Sequence, residues 1–101
     1  MIAYLAGPMT GLPEFNYPAF HAAAADLRAA GKDVVNPAEL HGPEDSGGDQ
    51  SWEWYLRAAL VAMLGCDEIV LLPGWETSRG ARLERYVAEA LGMPVTELQP
   101  A

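Results

Sequence analysis

Apolar residues fall into two alternating kinds of run along this chain. Residues 2–6, "IAYLA", form a short continuous apolar stretch closed by Gly7-Pro8, the pattern of a buried strand entering a turn. Residues 7–16, "GPMTGLPEFN", carry the glycines and prolines of a loop. Asn16 stands where a helix cap belongs, with Pro18 in the first turn; Phe20, Ala24 and Leu27 then share one helical face, and Gly31 ends it. Residues 32–35 read as a second strand, stopped by Asn36-Pro37.

Residues 41–50, "HGPEDSGGDQ", are turn-forming and acidic, which predicts a mobile loop. Ser51 then caps a helix over residues 51–64 in which Trp52, Leu56, Ala59, Leu60 and Met63 line one side. Residues 68–72 are the most strand-like run. After them come the loop "PGWETS", a helix over about residues 78–91 with Gly92 as its stop, and a short strand near residues 94–96.

The predicted order is β-α-β-α-β-α-β with short connections, in a single domain covering residues 1–101. It implies a small doubly wound α/β fold of the Rossmann-like or flavodoxin-like kind, with a parallel sheet of about four strands and helices on both faces. The expected strand order is 2-1-3-4. Successive connections then leave the first and third strands in opposite directions, and the crevice at their carboxyl ends is the usual ligand site. "GPMTG" and "PGWETS" are the loops that leave those two ends, so both face one crevice.

Composition narrows the partners. The net charge is −8, from 14 acidic residues against six Lys and Arg, so the surface repels a nucleic-acid backbone and no nucleic-acid polymer is expected. No window is long enough for a membrane span. The start lacks a basic leader and cleavage site, and the one cysteine, Cys66, forms no internal disulfide. A cytoplasmic protein is expected. Cys66 and two distant histidines make no zinc set, and no metal or cofactor is expected.

A small anionic ligand stays possible where positive potential is concentrated. The start of the last helix supplies it through unpaired backbone N–H groups, with Ser78 adding a hydroxyl, Arg79 a charge, and Gly80 a bare stretch of backbone. A plain N-cap and a solvated arginine explain Ser78 and Arg79 equally simply. Glu84 is harder to explain as surface. At about 100° per residue it lies about 40° from Gly80 and about 20° from Leu91, while Arg82, Arg85 and Glu89 sit at least about 100° away. It therefore falls on the side of Leu83, Val87 and Leu91, and a ligand crossing Gly80 would meet its carboxylate. A buried carboxyl of this kind marks a candidate active site, against the simpler reading of an acid at the core's edge or paired with an arginine.

Other candidates are weaker. Asp67 precedes the third strand, about 15 Å from the crevice on strand geometry, and a turn role suits it. Tyr4 could stack on a base or fill core, and Trp75 likewise. Trp54, Tyr55 and Arg57 could reach the crevice rim. His21 and His41 read as surface residues, and Cys66 as a small core residue.

"YLAGPMTG" and "CDEIVLLPGWETSRGARLE" together carry a resemblance. The chain resembles the nucleoside 2-deoxyribosyltransferase-like superfamily, in particular its small bacterial and phage branch, over nearly its whole length. The resemblance implies cleavage of an N-glycosidic bond, with Glu84 attacking the anomeric carbon and water or a second base resolving the glycosyl-enzyme. It implies an acid/base role for Asp67 beside the base and places the Gly7-Pro8 turn beside the sugar; Met9, next in that loop, is a further candidate for substrate binding. Relatives acting on free nucleosides carry Asp six residues before the nucleophile, whereas 5'-monophosphate hydrolases carry Ser there. Ser78 thus leans toward a nucleotide or sugar phosphate, since a hydroxyl at a helix tip does not repel phosphate. The resemblance further implies a homodimer or larger homo-oligomer, whose pocket a polar C-terminal residue of the neighbouring subunit completes. Residues 94–101 offer only Thr96 and Gln99 for that, which favours the alternative of a non-catalytic nucleotide-binding or sensing module.

Overall fold

Four short strands build the molecule's centre in a computed structural model that describes residues 1–40 and 51–99. They are β1 (Ile2–Ala6), β2 (Asp33–Val35), β3 (Glu68–Leu71) and β4 (Val95–Glu97). All pair in parallel, in the order β2-β1-β3-β4, as the sequence predicts. Helices α1 (Tyr17–Ala29), α3 (Trp52–Leu64) and α4 (Arg79–Ala90) alternate with them, with a one-turn helix α2 (Pro37–Leu40) after β2. The acidic stretch 41–50 lies outside the described residues.

Every residue of β3 is buried, and so are four of the five in β1, as expected of parallel strands covered on both faces. Because side chains alternate along a strand, β1 feeds two separate cores. Ala3 and Leu5 pack with Val70, Leu72, Phe20 and Ala24 under α1; Tyr4 and Ala6 pack with Ile69, Leu71, Met63, Ala81 and Ala88 under α3 and α4. The switch from one face to the other opens the crevice at the ends of β1 and β3.

Local chemistry sets the ends of the elements. Ser51 accepts from Trp54 N at 3.1 Å and Ser78 from Ala81 N at 3.1 Å, so both expected caps form. Asn16 behaves differently. It takes a left-handed conformation, as do Glu14 and Phe15 (φ 61°, 52° and 53°), and its side-chain amide donates to Pro8 O at 3.0 Å instead of capping α1. Left-handed backbone costs an L-residue about 1–2 kcal/mol, so three in succession make the loop after β1 a tightly wound and unfavourable turn. The short helix α2 is also unforeseen. Asn36, fully buried, accepts from Ala38 N at 3.0 Å, so the pair that stops β2 also starts a helical turn.

The packing face of α4 needs correction. The sequence places Leu83, Val87 and Leu91 together toward the core. In the structure Leu83 and Leu91 are exposed, and the buried residues are Ala81, Glu84 and Ala88, with Val87 half-buried. Alanines let the helix lie close against Tyr4 and Ala6, where leucines would hold it off. Glu84 is buried as expected, but in the company of small residues.

Candidate functional site

A cavity of about 320 Å³ sits at the carboxyl ends of β1 and β3, large enough for a small ligand. The end of β1 and its loop supply Tyr4, Gly7 and Met9; the start of α4 supplies Ser78, Gly80 and Glu84. Two loops that the sequence directs to one crevice do meet there.

Gly7 holds the floor of this meeting. A Cβ on it would come 2.8 Å from Leu72 Cβ, a distance that would force β1 and the end of β3 apart. Gly80 serves differently. A Cβ there would find nothing nearer than Trp52 Cζ2 at 3.9 Å, so protein packing does not require a glycine; its bareness leaves room beside the backbone. On the same turn, Ser78 Oγ takes the Ala81 N–H and Ser78 O takes the Arg82 N–H at 3.0 Å, while the Arg79 and Gly80 N–H groups, first in the helix, have no acceptor among the described residues. Ser78 is thus an N-cap whose hydroxyl proton is still available, and it lines the cavity.

Glu84, one turn below Gly80, is 7% exposed and forms no ion pair among the described residues. Burial pushes its carboxyl up to about 7, opposed by an interaction with the Tyr4 hydroxyl, which favours the charged form. Tyr4 is wholly buried, and its hydroxyl reaches no hydrogen bond of good geometry. Burial first, and the nearby Glu84 second, raise the Tyr4 phenol far above its ordinary range, so it stays a neutral donor. An unmet donor and an unpaired acid, both buried, thus share one cavity wall. Groups left so usually await a ligand.

The other expected site residues lie elsewhere. Asp67 sits at the opposite end of β3, where its carboxylate accepts from Ile2 N at 2.7 Å. A strand's length separates it from Glu84, as strand geometry indicates. Trp75 turns toward β4: its indole donates to Glu97 Oε1 at 3.1 Å and the Arg85 guanidinium stacks on its ring at 4.5 Å. Arg79 lies over the Trp52 ring, 4.2 Å from its centre, outside the cavity lining. Pro8 is buried behind the wall, against Gly74. Of the middle-helix candidates Tyr55 lines the cavity, whereas Trp54 and Arg57 do not.

Sequence reasoning missed the cavity's aromatic share. Phe15 and Tyr17 from the loop and the start of α1, Phe20 from α1, and Trp52 from α3 all face it. The available signal was the apolar stripe of α3, whose lower part, Leu60 and Met63, packs on the sheet while its upper part, Trp52, Leu56 and Ala59, overhangs the strand ends.

Among the described residues no three His, Cys, Asp or Glu side chains come together to hold a metal ion, and no helix is long and apolar enough to cross a membrane. Among the described residues the cavity combines the Glu84 carboxyl, the buried Tyr4 phenol, a helix tip and an aromatic wall. No curated protein matches the chain. Residues 1–97 match the family described as "Domain of unknown function (DUF4406)", and the chain belongs to that family.

Proposed function

We propose that the cavity binds a nucleoside 5'-monophosphate or a related nucleotide and cleaves its N-glycosidic bond through a glutamyl glycosyl-enzyme. The observation that carries the proposal is the buried, unpaired Glu84 one helical turn below the open backbone at Gly80 and the Ser78 hydroxyl. A phosphate held at the α4 tip by the Arg79 and Gly80 N–H groups and Ser78 places the sugar along the helix, with its anomeric carbon toward Glu84. The resemblance of the Tyr4–Gly7–Pro8 and Asp67–Glu84 segments to the nucleoside 2-deoxyribosyltransferase-like superfamily supports the same reading.

In the proposed step a Glu84 oxygen bonds to the anomeric carbon as the carbon–nitrogen bond breaks. The bonding pair leaves with the base, which takes a proton from solvent. Water then attacks the glycosyl ester, losing its proton and freeing the Glu84 carboxylate; a second base in place of water gives transfer. The positive charge that develops on the sugar is stabilised by the adjacent carboxylate. In this step the neutral Tyr4 hydroxyl beside Glu84 donates to the carboxylate oxygen that does not attack. The homo-oligomer that the resemblance carries belongs to this proposal, and exposed Val61 and Leu64 on α3 and Tyr86 on α4 offer apolar surface for it.

One observation favours a non-catalytic nucleotide-binding module instead. Among the described residues Glu84 is the one carboxylate lining the cavity, and Asp67, the expected acid/base partner, is bonded at the far end of the sheet. The two readings separate on incubation with ribo- and deoxyribonucleoside monophosphates, with free base measured by chromatography. Release that is lost in Glu84→Ala and kept in Asp67→Asn supports the enzyme. Binding without release supports the module, and neither binding nor release overturns both.

A further inference from the structure

Trp75 lies outside the cavity lining, yet it is held on both its edge and its face. Its indole N–H donates to Glu97 Oε1 on β4 at 3.1 Å, and the Arg85 guanidinium of α4 lies 4.5 Å over its ring. Arg85 is fixed in turn: its Nε donates to Glu89 Oε1 at 2.6 Å, and its Nη1 stands 3.9 Å from Glu97 Oε2. One indole thereby joins the loop after β3 to helix α4 and to the edge strand. Glu97 pairs in register with Leu71, the last residue of β3, so this joint lies at the crevice end of the sheet.

The backbone carries that hold to the ligand side. Trp75 O accepts from Ser78 N at 3.0 Å, and Gly74 O accepts from Thr77 N at 3.1 Å and from Thr77 Oγ1 at 2.8 Å, so residues 74–78 form one tightly wound unit. Ser78, its last residue, caps α4 and lines the cavity, and the Arg79 and Gly80 N–H groups follow at once. The seat of the indole therefore sets where the donors of the tip point. Stability alone explains the cluster poorly. The Arg85, Glu89 and Glu97 side chains are 33% to 56% exposed, where ion pairs contribute little, and Ala81 and Ala88 already seat α4 on the sheet.

We infer that Trp75 is a positioning residue for the phosphate, holding the α4 tip in place from its β4 side through Glu97 and Arg85. The inference rests on the nucleotide reading of the site, in which the tip holds the phosphate. Binding groups work only when a supporting shell fixes them to within about 0.5 Å, and a misplacement of about 1 Å weakens them severely. Loosening the indole should therefore act on the phosphate and spare the rest of the ligand.

Calorimetric titration of the full chain with ribose 5-phosphate, AMP and adenosine tests it, together with amide hydrogen exchange in the free protein. Trp75→Leu and Glu97→Ala are each expected to weaken ribose 5-phosphate and AMP by about tenfold and to leave adenosine within about twofold of wild type. Glu97→Gln keeps an oxygen for the indole and should stay near wild type. In the free protein the first two variants should speed exchange about tenfold at Ala81 and Arg82, whose amides are bonded to Ser78, and leave Leu91 and Met93 beyond the far end of α4 unchanged. Should Trp75→Leu lose its fold by circular dichroism, Glu97→Ala, at an exposed position, carries both expectations. Equal losses for AMP and adenosine, no loss for ribose 5-phosphate, or exchange that is unchanged at Ala81 and Arg82 or faster along the whole of α4 overturns the inference. Wild-type protein that binds neither phosphate-bearing probe removes the function proposed above, and the exchange at Ala81 and Arg82 then decides by itself whether Trp75 positions the tip.

Discussion

The two ends of the sheet treat buried carboxyl groups in opposite ways. At the start of the strands, Glu68 is buried and held by Lys32 Nζ at 2.9 and 3.1 Å, and Asp67 beside it is bonded to the Ile2 amide. At the strand ends Glu84 is as deeply buried and, among the described residues, meets as a polar partner only the Tyr4 hydroxyl, which itself lacks a well-formed hydrogen bond. The same residue type thus anchors structure at one end and is left unmet at the other. A fold gains nothing from an unpaired buried acid, so the second end is where a ligand would act.

The comparison breaks most sharply at Glu84. Its carboxyl is raised from 4.5 to about 7 in the folded protein, so the unfolded chain ionises first as pH rises. Between those values the folded state progressively loses stability relative to the unfolded one. The full loss, about 3 kcal/mol at 1.36 kcal/mol per pH unit, is reached above pH 7 and is absent below about pH 4.5. Glu84→Gln should therefore be more stable than wild type by up to that amount at pH 8, with no such gain at pH 4, in urea melts at the two pH values. If Glu84 acts as the nucleophile, wild-type kcat/KM should also rise through about pH 7.

Lys32→Met should give the opposite sign. It strands Glu68 at 6% exposure, and a loss of about 2 kcal/mol at pH 7 is expected from the same melts. Responses of opposite sign at the two glutamates would sharpen the contrast; a destabilised Glu84→Gln would end it.

The smallest expected change in stability comes from Gly80→Ala. Its Cβ has room, and a helical glycine costs about 1 kcal/mol relative to alanine, so thermal melts should show a gain of up to that size. The same methyl occupies the approach to the α4 tip, and ribose 5-phosphate affinity should fall by about tenfold or more in calorimetry. Stability and binding moving in opposite directions would show that the glycine is kept for the ligand.

Much of this was legible in the residues themselves. Gly7-Pro8 after a short apolar run, Asn36-Pro37 after the next, and serine caps at Ser51 and Ser78 mark the element ends through local backbone preferences. The order of strands follows from short right-handed crossovers, and with it the crevice. The i, i+4 spacing of Gly80 and Glu84 puts them on one side of a helix whatever that helix packs on.

Rotation and company were decided only by tertiary structure. Periodicity weights leucines over alanines, yet the close fit of α4 on Tyr4 and Ala6 selected Ala81 and Ala88 and left Leu83 and Leu91 outside. Trp52, Tyr17 and Phe15 come from segments far apart in sequence, and nothing local announces that they line one cavity, whereas Tyr55 was expected at its rim. Asn16 shows the same limit in reverse: its side chain can cap a helix, but a carbonyl at Pro8, brought near by the turn after β1, took the hydrogen bond. Sequence fixes what a residue can do with its chain neighbours, because those contacts are set by backbone geometry. Which distant groups it meets depends on how helices seat on the sheet, and that is settled by packing over the whole molecule.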